Sequence, residues 1–306
     1  MTATHDATQA ASGATKAAPS ISQRRRRSKL GNAWRGFANA PLSAKFGMVV
    51  IAVYVIAAIF APGIAPYGEA EVVGKGYQPW SWQHLMGTDQ LGRDLFSRLI
   101  YGARNTVGVA LLTTLLSFAL GGGLGLLAAI AKGWIDQILS RAVDALMAIP
   151  VLIFALLLLS IFGTTVTAMV LVLAVLDSTR VFRLTRAVSQ SIVVMDYVEA
   201  ARLRGEKLPW IMRREILPNI MAPLVAEFGL RFCFVFLTIS ALSFLGLGLQ
   251  PPTADWGSMV YENKMLITVG RLTPLLPAGA IALLAVGVNF VVDWFLHKTS
   301  GLRDEK

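Results

Sequence analysis

The feature that most constrains this chain is a set of long windows that contain no Asp, Glu, Lys or Arg. Such windows cover residues 46–68, 105–131, 145–176, 232–254 and 272–292. A helix needs about 20 apolar residues to cross a hydrocarbon core of ~30 Å, and each window is long enough. Charged residues make up only 15% of the chain, against about 25% in soluble domains. The sequence therefore predicts an all-α integral membrane protein.

The number of crossings follows from the lengths of the windows. As a helix, window 145–176 would be about 48 Å long, which is too long for one crossing. Residues 162–165, "FGTT", are the natural break. The expected crossings lie near 46–66, 104–131, 142–162, 165–184, 221–246 and 273–296. This count predicts six transmembrane helices.

The orientation follows from the distribution of Lys and Arg, which are enriched in cytoplasmic loops. With the N-terminus inside, 21 basic residues fall on the cytoplasmic side and six on the other. Both termini are therefore expected in the cytoplasm. Residues 1–40, which contain "QRRRRSKL", are predicted to be a disordered basic cytoplasmic tail. A twin-arginine export signal is disfavoured, because no cleavable apolar region follows directly.

The predicted organisation has two further parts. Residues 41–103 hold the first crossing and an extracytoplasmic segment with an interfacial helix, and residues 104–300 form a five-helix core with a cytoplasmic loop at 185–220. In the interfacial helix, expected at 91–101, Leu91, Leu95 and Leu99 recur every four residues. Asp94 and Arg98 would form an i,i+4 pair on it. An alternative role for this helix is contact with another protein.

Several functional classes find no support in the sequence. No G-x-x-x-x-G-K-[ST] phosphate loop occurs, so the chain should not hydrolyse nucleotides itself. The three histidines show no metal-ligand spacing, and the lone Cys233 permits no internal disulfide. The net charge of +10 is explained by the cytoplasmic loops and does not require a nucleic-acid partner. The glycines of "GGGLG", 121–125, are expected to let helices pack closely.

The most charged internal segment, "DYVEAARLRGEKLPWIMRREILPN", spans residues 196–219. Its good helix formers predict a short helix that ends at Gly205, because glycine tolerates the left-handed conformation of a helix stop. A second helix is expected to begin near Pro209 and to be interrupted by Pro218 before the next crossing. Ala200 and Ala201 would give the first helix a small face that can enter a groove on another protein. The alternative is a basic loop attracted to anionic lipid.

The same segment resembles the cytoplasmic loop motif of the permease subunits of binding-protein-dependent ABC importers. That motif reads roughly E-A-A, three residues, G, nine residues, I-x-L-P. The resemblance implies that Glu199, Ala200, Ala201 and Gly205 form a coupling helix that docks on an ATPase, with Leu217 and Pro218 closing the motif. Glu215 departs from the pattern, where the family has isoleucine. The resemblance further implies that ATP and Mg are bound by the partner and that this chain carries no cofactor.

Two more stretches narrow the subfamily. "MGTDQLGRDLFSRLIYGAR", 86–104, and "SFLGLGLQPPTADWGSM", 243–259, resemble segments of the second (C-type) permease of dipeptide, oligopeptide and nickel importers. The resemblance covers about residues 45–303 and implies the type I importer fold. It also implies a second homologous permease, two ATPase subunits and an extracytoplasmic solute-binding protein as partners. A di- or oligopeptide is the favoured solute, ahead of nickel or another small solute.

Two other classes remain as alternatives. A stand-alone secondary transporter would show inverted repeats, and none is clear in the sequence. A subunit of an export complex or a membrane scaffold would not need the 86–104 stretch.

Four ionisable residues lie within the predicted crossings, where a charge costs on the order of 2.5–3.5 kcal/mol by insertion scales. Glu227 and Arg231 are four apart and can pair, and Asp177 and Arg180 are three apart. One interpretation is pairing within each helix towards a protein interior. The other is that the four line the translocation cavity and meet a polar or charged solute.

Overall fold

A computed structural model describes residues 40–299, and every regular element in that range is a helix. Two isolated bridges, Val72 with Arg93 and Thr88 with Asp94, are its only β-type pairings. The α-helices are α1 (Leu42–Ile64), α2 (Leu95–Ala131), α3 (Gly133–Met147), α4 (Val151–Phe162), α5 (Val166–Val193), α6 (Asp196–Leu203), α7 (Leu208–Ile211), α8 (Leu217–Phe244), α9 (Trp256–Asn263) and α10 (Leu275–Thr299). A π-helical turn, Met212–Ile216, joins α7 to α8, and a 3-10 helix, Lys264–Val269, follows α9. The predicted tail at 1–40 lies outside the described residues except for Ala40.

Four helices in the described range are long and apolar enough to cross a membrane: Leu42–Ile64, Leu95–Ala131, Leu208–Phe244 and Leu275–Lys298. A fifth candidate is the pair α3 and α4, which is bent by 88°. α5 has 28 residues but carries several charges in its C-terminal half. The all-helical membrane architecture predicted from the sequence is thus confirmed for residues 40–299.

The helix expected near 142–162 is not continuous, because the structure has two helices there in place of one. α3 ends at Met147 and α4 begins at Val151, with Pro150 between them. Proline has no backbone N–H and disfavours helical geometry at the residue before it, here Ile149. Pro150 therefore explains the 88° bend, although the uncharged window 145–176 continues through this residue.

The most extensive helix contact joins α2 to α5, and glycines of the "GGGLG" cluster allow it. A Cβ atom on Gly121 would lie 2.2 Å from the carbonyl oxygen of Ser178, and one on Gly125 would lie 2.8 Å from that of Phe182. The close-packing prediction is thus confirmed for these two positions. Gly123 has nothing within 4 Å of such an atom, so only part of the cluster serves this contact.

α1 packs against α10 through a second close approach. A Cβ atom on Gly47 would lie 2.3 Å from the carbonyl oxygen of Gly287, and the Tyr54 hydroxyl donates to the Ala280 carbonyl at 3.1 Å. Between these helices and α8, Phe236 and Trp256 are almost fully buried, with ring centroids 6.1 Å apart at 89°. Trp256 stands at the start of α9, so the outer loop is anchored in the helical core.

The separate interfacial helix expected at 91–101 is not formed. Residues 91–94 are non-helical, and Leu95 begins the 37-residue α2. Asp94 is the N-cap of α2, where its carboxylate accepts from the backbone N–H of Ser97 at 2.8 Å. The predicted Asp94–Arg98 pair is wrong for the same reason, since this carboxylate caps the helix while Arg98 approaches other acids.

Candidate docking helix and intramembrane charge cluster

α6 is a short helix with one face built into this chain. Val198 and Ala201 are fully buried and pack in a cluster with Ile211, Ile216 and Ile220. Acidic residues in its first turn and a basic residue in its last turn suit the helix dipole. The apolar contacts fix the helix against the start of α8.

The opposite face of α6 has no partner within residues 40–299. Glu199 and Ala200 are exposed, and Leu203 is 83% exposed. The small face expected from Ala200 and Ala201 is therefore divided, because Ala200 points outward while Ala201 is covered by this chain. Ala201 can position the helix, but it cannot itself touch another protein without movement.

Gly205 ends α6 as the sequence predicts. Its φ of 79° is left-handed, its N–H donates to the Arg202 carbonyl at 2.9 Å, and the N–H of Glu206 donates to the Ala201 carbonyl at 3.2 Å. These two bonds form the Schellman pattern of a glycine helix stop. Gly205 itself is exposed, so the turn that it makes lies on the same open surface as Glu199 and Ala200.

The second helix of the segment does not stop at Pro218, which corrects the prediction of a separate short helix. Pro209 lies in the first turn of α7, and the helix runs on through the π-turn into α8. The segment 208–244 is one apolar helix of 37 residues. Leu217 is half-buried and Pro218 is exposed near the start of α8.

Glu215, the departure from the family motif, lies within the π-turn. Its carboxylate is 3.8 Å from the guanidinium of Arg204, and its carbonyl accepts from the Asn219 side chain at 2.6 Å. The ion pair is exposed and weak. Glu215 thus makes a polar contact between the end of α6 and the start of α8, at a position where the family has isoleucine.

Two of the other ionisable residues of the crossings, Glu227 and Asp177, lie against Arg231 on α8. Its Nε is 2.8 Å from a Glu227 oxygen, and its Nη1 is 3.7 Å from an Asp177 oxygen on α5. Asp177 also accepts from the Ser117 hydroxyl of α2 at 2.8 Å. The pairing expected of Glu227 with Arg231 is formed, whereas Asp177 bonds across helices and makes no ion pair with Arg180. Arg180 is exposed.

A buried charge network between the segment before α2 and α9 was not predicted from the sequence. Arg93 lies 2.6 Å from Asp89 and 3.0 Å from Glu262 of α9. Arg98 is fully buried and approaches the same two acids at 3.6 and 3.5 Å. The alternation of acids and bases in "GTDQLGRD" was the available signal, but nothing in the sequence pointed to Glu262.

A second polar cluster joins the outer loop to α2. The Glu69 carboxylate accepts from the Asn105 side chain at 2.8 Å and from the backbone N–H of Ala254 at 2.9 Å. Asp255, the N-cap of α9, accepts from the Thr106 hydroxyl at 2.8 Å. Burial raises the pKa of the Asp255 carboxyl above its ordinary value. These contacts make the outer segment and α9 one structural unit with α2.

No group of three or more His, Cys, Asp or Glu side chains that could hold a metal ion occurs between residues 40 and 299. The arrangement offers three elements of chemical interest: an open face on α6, an intramembrane charge cluster and the buried network of Arg93, Arg98, Asp89 and Glu262. None of them presents an activated nucleophile or a pair of carboxylates free to exchange protons.

Comparison with known proteins accounts for this combination. Residues 121–298 match the family described as binding-protein-dependent transport system inner membrane component. Residues 28–82 match the N-terminal TM domain of oligopeptide transport permease C. A di/tripeptide transport system permease protein DppC from Pseudomonas aeruginosa is 36% identical, with 89% of each chain covered. A dipeptide transport system permease protein DppC from Alkalihalophilus pseudofirmus is 33% identical, covering 84% of this chain and 83% of the relative. The chain belongs to the family of inner-membrane permease components of binding-protein-dependent ABC importers.

Proposed function

We propose that this chain is one of two permease subunits of an ATP-driven importer that moves di- or oligopeptides into the cell. Both relatives described above are named for peptide transport, and neither name favours nickel. Solute delivered by an extracytoplasmic binding protein passes between the two permeases by alternating access. ATP and Mg are bound by two ATPase subunits, so this chain performs no hydrolysis itself.

The proposed topology has six crossings with both termini in the cytoplasm. They are α1, α2, the bent pair α3 and α4, α5, α7 to α8, and α10. The uncharged outer half of α5 and its close packing on α2 support its membrane position, although its inner half is charged. The excess of basic residues on the α6 side supports the orientation.

The observation that carries the proposal is the two-sided character of α6. Val198 and Ala201 hold it against this chain, while Glu199, Ala200 and Leu203 form an open surface. An apolar Leu203 that is 83% exposed beside small and charged residues suits a protein partner. Because α6 packs on Ile211, Ile216 and Ile220 of the continuous helix 208–244, force applied at α6 passes through these contacts into a membrane crossing.

Cysteine crosslinking tests the docking surface. In a Cys233→Ala background, Ala200→Cys is expected to form a crosslink to a co-expressed ATPase subunit with single-cysteine positions around its cleft. Ala201→Cys is the matched control, because the same substitution one residue along is fully buried in this chain. The readout is the crosslinked band on a denaturing gel, scored only for variants that retain uptake.

Equal crosslinking at both positions, or none at Ala200→Cys with uptake intact, would remove α6 as the docking element. Solute class is tested separately by uptake of a radiolabelled dipeptide in cells with and without the intact operon. Loss of dipeptide uptake in the deletion strain supports the proposal. Loss of nickel uptake alone would replace it with the metal alternative.

A further inference from the structure

A small cleft with charged residues in a mostly apolar lining opens between α4, α5 and α8 in the inner half of the crossings. Its volume is about 50 Å³, and its lining includes Val151, Asp177, Arg180, Arg231, Phe234 and Thr238. A cavity of about 10–15 Å³ already holds one water molecule, so the cleft has room for a few waters or for one end group of a larger solute. In this cleft, the intramembrane charges meet open space.

Arg231 is held in this cleft with its hydrogen-bonding capacity incompletely used. It is only 8% exposed, and its Nη1 has no hydrogen-bond partner among the described residues. Asp177 approaches that nitrogen at 3.7 Å, which is an ion-pair distance but longer than a hydrogen bond. A buried guanidinium with an unused donor gains free energy from any further anion that reaches it.

Arg180 adds a second unused cation at the rim. It is exposed within α5 and forms no ion pair with any acid in residues 40–299. Charged side chains within crossings typically face a protein interior or a water-filled cavity, because lipid disfavours them. The position of Arg180 on the cleft therefore marks this face as one that meets solute or the partner permease, and not lipid.

We propose that the cleft between α4, α5 and α8 binds the carboxylate of the transported solute, with Arg231 and Arg180 as the residues that receive it. The inference rests on the proposed function, since a short peptide carries such a carboxylate at one end. The cleft admits this end group, while the remainder of the peptide lies outside it. Glu227 and Asp177 compensate the charge of Arg231 when the cleft is empty, which keeps the cluster stable between transport cycles.

Uptake by the assembled complex tests this site. The complex, with its ATPases and binding protein, is reconstituted in proteoliposomes and supplied with radiolabelled dialanine. Arg180→Gln is expected to lower the uptake rate per complex about tenfold, because one charge-assisted contact to the carboxylate is lost. Arg180→Lys keeps the positive charge and should retain most of the rate. The control is Arg183→Gln, an exposed arginine on the same helix that contacts Met147 and does not line the cleft.

The outcomes distinguish failure of the proposed function from failure of the carboxylate site alone. If the parent complex takes up no dialanine, the proposed function fails and the carboxylate site fails with it. If the parent transports dialanine while Arg180→Gln matches Arg183→Gln, only the carboxylate site is overturned. Failure of Arg180→Lys to restore uptake would also overturn it, because a contact based on charge tolerates that exchange. Arg180 forms no ion pair within residues 40–299, so these variants test binding without breaking a salt bridge of the described structure.

Discussion

At the residue scale, glycines of α2 determine how closely other parts of the chain approach this helix. Gly102 accommodates the Trp256 ring, with 2.5 Å between its would-be Cβ and the ring, while Gly121 and Gly125 accommodate the backbone of α5. A larger residue at Gly121 or Gly125 would clash with the main chain of α5, which can move only together with its helix. These positions therefore set the helix spacing, whereas Gly123 in the same cluster does not.

We predict that Gly121→Ala destabilises the protein by about 1–3 kcal/mol, the usual cost of overpacking. The added methyl would sit 2.2 Å from the Ser178 carbonyl oxygen, so α2 and α5 must separate. Gly123→Ala is the matched control, because it meets nothing within 4 Å and replaces a poor helix former by a good one. Thermal inactivation of the purified complex measures the difference, and equal midpoints for the two variants would contradict the prediction.

At the element scale, the outer segment of residues 65–94 is held as a unit by charges and not by regular structure. Arg98 donates to the Glu69 carbonyl at 3.1 Å and lies near Asp89 and Glu262. It thereby links the segment to α2 and to α9. This guanidinium is fully buried, and its removal leaves Asp89 and Glu262 to share the single positive charge of Arg93.

We predict that Arg98→Gln loosens the outer segment, because breaking one side of a buried ion pair costs about 3–5 kcal/mol. The measurement is limited proteolysis of spheroplasts from the outer face, where cleavage within 65–94 should accelerate. Arg104→Gln serves as the control, since Arg104 is exposed two turns further along α2. The network would have no clamping role if both variants were cut at the parental rate.

At the scale of the whole molecule, the proposed topology places the outer segment and α6 on opposite sides of the membrane. Trp82 is 97% exposed and Leu203 is 83% exposed, so a cysteine at either position is open to reagents. In the Cys233→Ala background, we expect a membrane-impermeant maleimide added to intact cells to label Trp82→Cys. Leu203→Cys should react only after the membrane is permeabilised. Labelling of Leu203→Cys in intact cells would invert the topology.

The sequence predicted the membrane class, the turn at Gly205 and the packing role of the glycines, because each depends on local composition or on one residue's conformational freedom. It failed where the outcome depends on distant partners. Asp94 was assigned to Arg98 by spacing, yet Asp94 caps α2 and Arg98 lies near Glu262 on α9. Spacing along a helix cannot reveal an acid from another element.

The charge cluster shows the same limit in the membrane. Glu227 and Arg231 pair within one helix, as their spacing of four allows. Asp177 instead accepts from Ser117 on another helix, a contact that depends on how α2 packs against α5. Pro150 was a signal for the break between α3 and α4. The prediction of a single helix followed instead from the uncharged residues on both sides of this proline.

The bend between α3 and α4 has a consequence for the lipid around the subunit. If α4 runs along the membrane normal, the 15 residues of α3 lie nearly parallel to the bilayer plane and extend about 22 Å along it. Trp134 and Ile138 are exposed apolar residues on this helix and can enter the boundary between headgroups and acyl chains. The proposed topology puts α3 on the cytoplasmic side, so the subunit then occupies more area in that leaflet than in the outer one.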